Sequence, residues 1–386
     1  MEPTSFVADL STEVLDDMRD RLRRTRWPHV IGEDAWLYGA PQAWLRDMVE
    51  YWLDEWDWAA QADAMNRWQH HRVEIDGIPI HYLHAPAANP DAPPLVLTHG
   101  WPWTFWDFQD VIGPLSRPED HGGDAADAYN VYVPSLPGFG FSTPLTTAGV
   151  DVVRIAELWV TLMTEVLGHD RFCAHGGDWG GLVTSQLSHA HADKLIGAHL
   201  AIAFIPGVNR TALPDSAWAE DEQWMLDRNR ESEPVIRSHV TVHTLDPQTL
   251  AYGLMDSPLA TAAWIWERRR NWSDCDGDVE RAFSREHLCT TAALYWGTGA
   301  ITSSLRLYHE QFTKSWAVLH DRMPRLEAPT AMAVFPKDVV HLPRSVMEEY
   351  CDLRQYTVMA AGGHFGAAEQ PALLVDDLRS FFGPLT

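Results

Sequence analysis

Over residues 10–29 apolar side chains recur at Leu10, Val14, Leu15, Met18 and Leu22, the spacing of one helix face. Ser11 or Thr12 can cap the start of this helix, and Pro28 closes it. A second helical stretch, rich in Trp and Leu, spans residues 41–58. The period changes at residue 72. RVEIDGIPIHYLHA alternates about Asp76-Gly77, which predicts a hairpin. Short apolar runs follow at PLVLTHG (residues 94–100), NVYVPSLPGFGFS (130–142), RFCAHGG (171–177) and LIGAHLAIAFI (195–205). Helical period separates them, as at residues 152–167 and again after Asp178. This alternation predicts an α/β architecture, a mostly parallel sheet with helices on both faces.

The strand pattern stops at residue 206 and resumes with PTAMAVFPKD (329–338) and QYTVMAAGGHF (355–365), before a last helix, PALLVDDLRSFF. Four parts are therefore expected: an N-terminal helical segment over 1–70, a first core part over 71–205, a helical cap over 206–312 and a second core part over 313–386. An insertion of that kind sits at the carboxyl edge of the strands, where open α/β sheets bind ligands.

The length of 386 residues exceeds what one simple core supports, in keeping with an inserted unit. The net charge of −25, with no basic run, argues against nucleic acid and against anionic membranes. Nineteen tryptophans argue against disorder. Cys173, Cys275, Cys289 and Cys351 are too widely spaced for a disulfide scaffold or a zinc site. His70-His71, His81 with His84 and His189 with His191 lack the carboxylate or Cys spacing of a metal centre, and read as strand-face or solvated histidines. The start of the chain lacks the basic and apolar regions of a signal peptide, and no apolar stretch reaches a membrane span of ~18 residues. A soluble, cytoplasmic protein is expected, with monomer and homodimer both open.

The chemistry concentrates at HGGDWGG (residues 175–181). Glycines flank Asp178 on both sides, the pattern of a strand-to-helix turn that presents one side chain at a helix N-terminus. A carboxylate there can attack an alkyl carbon to form an ester; alternatively it only caps the helix. HGWPW (residues 99–103), at a strand end, can supply a backbone N–H from Trp101 to pair with that of Trp179 as an oxyanion hole. Read alone, it is an ordinary turn. His364 in AGGHFG follows the last strand and can serve as base, though a lone histidine there is more often a packed one. Asp338 in FPKD can orient it, in preference to the helical Glu348 and Glu349. The order nucleophile, acid, histidine is that of the α/β-hydrolase fold.

Nearly the whole chain resembles an α/β-hydrolase epoxide hydrolase of the microsomal type, in its soluble bacterial form. The resemblance is carried, in order, by LRRTRWP, YWLDEWDW, IDGIPIHYLH, HGWP, PSLPGFGFS, GGDWGG, DSPLATAAWIWE, YWGTGAITSSLRLY, VFPKD and GGHF. It implies hydrolysis of an epoxide by water to a vicinal diol through an Asp178 ester, with His364 and Asp338 activating the water and no metal or cofactor. It also implies two cap tyrosines that protonate the opened ring. One matches Tyr308. The other position, eight residues before Pro247, holds His239, so that either His239 donates, one tyrosine suffices, or the substrate donates to itself. The bland reading of His239 is an exposed histidine of the cap. Tryptophans near the site point to a bulky, aromatic epoxide, with Trp103, Trp106 and Trp296 expected to bind it. Relatives of this soluble type include tailoring enzymes of enediyne and polyketide biosynthesis. Two other functions compete: a haloalkane dehalogenase on the same three residues, which would not need Tyr308, and a non-catalytic binding protein on this fold.

Overall fold

A computed structural model describes residues 1–32 and 36–386. Among the described residues nine strands form one sheet in the order β1-β2-β3-β5-β4-β6-β7-β8-β9. They are β1 (Thr4–Phe6), β2 (Gln69–Ile75), β3 (Ile78–Ala85), β4 (Pro94–Thr98), β5 (Asn130–Pro134), β6 (Phe172–Gly176), β7 (Leu195–Leu200), β8 (Leu326–Val334) and β9 (Cys351–Val358). The hairpin at Asp76-Gly77 joins β2 to β3 with Ile75 opposite Ile78. Pairing is antiparallel from β1 to β5 and parallel from β5 through β9. The parallel strands are continuous apolar runs because helices cover both of their faces.

Four helices make those layers. α4 (Gln109–Ser116) and α14 (Pro371–Phe382) pack on one face, and α5 (Val152–Thr161) and α6 (Trp179–Ala190) on the other. Along β7, Gly197 and His199 face Phe381 of α14, the alternation a two-faced strand requires.

The N-terminal segment is α1 (Thr12–Arg23), α2 (Gln42–Asp54) and α3 (Trp58–Met65). Two details depart from the sequence expectation. The stretch over 41–58 ends at Asp54, and a separate α3 starts behind Asp57, whose side chain accepts the Ala59 N–H at 2.9 Å. A strand, β1, precedes all the helices and pairs with β2. Its three residues are mostly exposed, too short a run for alternation to be legible.

Between β7 and β8 lie α7 (Gln223–Leu245), α8 (Pro247–Asp256), α9 (Pro258–Trp272), α10 (Arg285–Gly297) and α11 (Ala300–Phe312), called the cap below. α12 (Arg344–Tyr350) and the short α13 (Gly366–Glu369) belong to the returning core. The N-terminal helices bind the cap through buried and exposed contacts alike: Trp56 Nε1 donates to Thr290 Oγ1 at 3.1 Å, Gln61 to Glu286 at 2.7 Å, and Arg21 pairs with Asp256 at 2.7 Å. Among the described residues no helix is long and apolar enough to cross a membrane.

Candidate active site

β6 ends at Gly176, and α6 begins at Trp179. Asp178 sits between them at φ 51° and ψ −124°, a left-handed conformation that a non-glycine residue adopts only when its surroundings enforce it. Two close approaches enforce it. A Cβ on Gly180 would collide with the Thr98 carbonyl at the end of β4, and one on Gly100 would collide with the Asp178 carboxylate. The glycines thus bring α6 hard against the sheet and push the Asp178 side chain out over the strand ends.

Three residues meet there. Trp101 donates its N–H to Asp178 Oδ1 at 2.7 Å. His364 Nε2 lies 3.3 Å from the other carboxylate oxygen, Oδ2, while its Nδ1 is 2.7 Å from Asp338 Oδ1. Asp338 Oδ1 also accepts the Val339 N–H at 2.6 Å. Burial works against protonation of His364, but Asp338 and Asp178 outweigh it and lift the imidazole to about 10. The resting site is therefore a cation held between two carboxylates. Of the three acids weighed as orienting partners from the sequence, Asp338 is the one at His364 Nδ1, and Glu348 and Glu349 lie on α12.

The cap closes the space above. A cavity of about 220 Å³ opens onto Asp178 and His364, with Tyr308 of α11 and His239 of α7 in its upper wall. Trp272, Phe204 and Phe312 line it, so most of its surface is apolar and aromatic. Larger grooves occur between the N-terminal helices and the cap, but none of Asp178, Asp338 or His364 reaches them.

Tyr308 is buried, and its ring stands edge-on to Trp179 at 4.7 Å. Burial and then the Asp178 charge push its hydroxyl well above the usual phenol range, so it keeps its proton. His239 is buried too, with 4% exposed, and is not the exposed cap histidine of the bland reading. Its ring stacks on Trp101 at 5.2 Å and 13°, and its Nδ1 has no hydrogen-bond partner among the described residues. Burial first, then His243, Arg268 and His364, hold it neutral. A neutral imidazole still carries one N–H.

The three tryptophans expected to bind substrate do not line the cavity. Trp103 is buried beneath the site, its ring perpendicular to His364 at 5.6 Å. Trp106 packs in the core against Phe105. Trp296 faces α1, donating Nε1 to the Met255 carbonyl at 2.9 Å under the Arg21 guanidinium. Wall positions fall instead to Trp179 and Trp272. Nothing in composition separates a tryptophan that packs from one that lines a cavity; only the register of each helix on its neighbours does.

A buried ion pair was not legible either. Arg269 of α9 meets Asp107, both fully buried, at 2.7 Å, and donates to the Pro102 carbonyl at 3.0 Å, next to the Trp101 N–H. His287 of α10 joins at 3.2 Å. Burial alone would raise the Asp107 carboxyl, but Arg269 and His287 hold it well below the usual range. In the sequence Arg269 is one of three consecutive arginines, and nothing local distinguishes it from Arg268 and Arg270.

Comparison with known proteins identifies the family and the fold. Residues 3–108 match the model of the epoxide hydrolase N terminus, and residues 93–246 match that of the α/β hydrolase fold. The chain is 37% identical to an epoxide hydrolase homologue of Stigmatella aurantiaca, over 99% of this chain and 85% of that protein. It is 32% identical to Epoxide hydrolase 1 of Sus scrofa, over 98% of this chain and 88% of that one. The structure of the Aspergillus niger epoxide hydrolase superposes with a TM-score of 0.87 at 25% identity, covering 100% of this chain and 97% of the other. The fold and site define an enzyme of the α/β-hydrolase fold. The chain belongs to the microsomal-type epoxide hydrolases.

Proposed function

We propose that this enzyme opens a bulky, aromatic epoxide by covalent catalysis and releases a vicinal diol. The carrying observation is the line Trp101 N–H, Asp178, His364, Asp338 beneath an aromatic cavity. Asp178 Oδ1, already bound by Trp101, becomes the ester carbonyl oxygen. Oδ2 attacks an epoxide carbon, the ring C–O bond breaks, and the alkoxide takes a proton from Tyr308 or is held by the His239 N–H. Alkylation removes the Asp178 charge, and with it one of the two interactions that hold the proton on His364. His364 passes that proton to the Tyr308 phenolate or to the alkoxide, and its neutral imidazole, oriented by Asp338, then takes a proton from water as the water oxygen attacks Asp178 Cγ. The N–H groups of Trp101 and Trp179 hold the oxyanion. Collapse breaks the bond to the alkyl oxygen, which takes the proton from His364 and leaves as the diol, and the Asp178 carboxylic acid then gives its proton to His364, restoring the resting pair.

Trp179, Trp272, Phe204 and Phe312 in the wall support an aromatic or comparably bulky substrate. Histidine at a position where the family has tyrosine supports a specialised substrate, as in natural-product tailoring. Four buried, unpaired cysteines support a reducing, cytoplasmic setting. Purified protein incubated with styrene oxide, larger aryl epoxides and, separately, alkyl halides tests the proposal. Diol formation from an aryl epoxide is expected. Halide release with no diol from any epoxide would replace this reading with a dehalogenase.

A further inference from the structure

We infer that Glu369 is a positioning residue for His364, fastening the loop that carries the imidazole to the cap while the ester is hydrolysed. The inference rests on the two-step reaction and concerns its second step.

The loop over residues 362–365 has every backbone N–H engaged. Gly362 donates to Asp274 Oδ2 at 3.0 Å, and His364 donates to the Trp272 carbonyl at 2.8 Å. The two N–H groups that remain, on either side of the imidazole-bearing position, go to Glu369: Gly363 at 3.0 Å and Phe365 at 2.8 Å. Glu369 also accepts the Asp274 N–H of the cap at 2.6 Å. One carboxylate at the end of α13 therefore ties core to cap and brackets His364. The approach is close, since a Cβ on Gly363 would lie 2.6 Å from the Trp272 carbonyl oxygen.

The arrangement has a physical cost. Burial pushes the Glu369 carboxyl up to about 7, against three N–H bonds that favour the anion. A protonated or amide side chain turns one acceptor into a donor and cannot satisfy all three N–H groups. Because Asp178 is held separately by Trp101 and α6, loosening this loop leaves the nucleophile in place. It moves only the base. A displacement of about 1 Å costs on the order of a hundredfold in rate.

The test is Glu369→Gln in the full chain, with an aryl epoxide that the wild type turns over. Ester formation governs kcat/KM, and ester hydrolysis limits kcat when the ester accumulates. A fall in kcat of about 10- to 100-fold with kcat/KM unchanged is expected. An equal loss in both, or no loss, would overturn the inference. The second readout is the low-field proton resonance of the His364 Nδ1–H···Asp338 bond, which needs no substrate. It should shift or broaden in the variant, and an unchanged resonance also counts against the inference. Should the wild type open no epoxide at all, the proposed reaction fails, and this resonance alone decides the role of Glu369. If the Gln variant does not fold, Glu369→Asp, which keeps the charge on a shorter arm, gives the same kinetic split in smaller measure.

Discussion

His239→Phe separates the two half-reactions at the cap. The substitution keeps an aromatic ring on Trp101, where His239 now stacks at 5.2 Å, and removes only the N–H. His239 is neutral and buried in the cavity wall, where a ring N–H can face the space above Asp178. On the proposed reaction that donor faces the developing alkoxide in the transition state for ring opening. A hydrogen bond to a charged group is worth about 1.5–3 kcal/mol. Ring opening should therefore slow by about 10- to 150-fold. Hydrolysis of the ester, which uses His364 and the Trp101 and Trp179 N–H groups, should not change. Single-turnover mixing followed by tryptophan fluorescence resolves the two steps, because Trp101 and Trp179 flank Asp178. His239→Tyr places a hydroxyl at the same position and should restore most of the rate. Ring opening at wild-type speed in the Phe variant would mean that Tyr308 acts alone. Equal slowing of both steps would mean that His239 serves packing.

Other consequences follow from particular contacts. Arg269→Met leaves Asp107 buried without its cation, and should lower unfolding free energy in urea by about 3–5 kcal/mol; a loss under 1 kcal/mol would show that water reaches the pair. Gly180→Ala drives a methyl group into the Thr98 carbonyl and should abolish soluble expression, whereas Gly253→Ala, with open space at an exposed turn of α8, should be stabilising by up to about 1 kcal/mol. The His364 imidazole is raised to about 10 in the folded protein against about 6.5 when unfolded. Its contribution to stability is thus full below pH ~6.5 and lost as pH rises through about 10. Wild-type stability should fall more than that of His364→Gln over that window, and parallel curves would contradict the charged resting imidazole.

What could be read from the sequence depended on how local the signal was. Asp178 was legible because the glycines that let α6 touch the sheet lie within three residues of it. His364 and Asp338 were legible because each follows an apolar run that could only be a strand. β1 was not, since three residues, two of them exposed, are too few to carry a period. The aromatic wall was misread because nineteen tryptophans share one composition signal, and Trp272 differs from Trp296 only in which neighbour its helix face meets. The Arg269–Asp107 pair joins positions 162 residues apart and leaves no local trace. Glu369 lies only five residues past His364, but a glutamate at the end of a short helix is ordinarily solvated; its burial depends on Asp274 arriving from the cap.

The central claim is that Asp178 forms an ester with the substrate. Its most direct test is intact-mass spectrometry of His364→Gln after incubation with an aryl epoxide, followed by peptide mapping. Without its base the enzyme should stop at the first step and gain the whole mass of the epoxide on Asp178. A variant that still makes diol at the wild-type rate without any adduct, or that carries the added mass on another residue, would contradict the account.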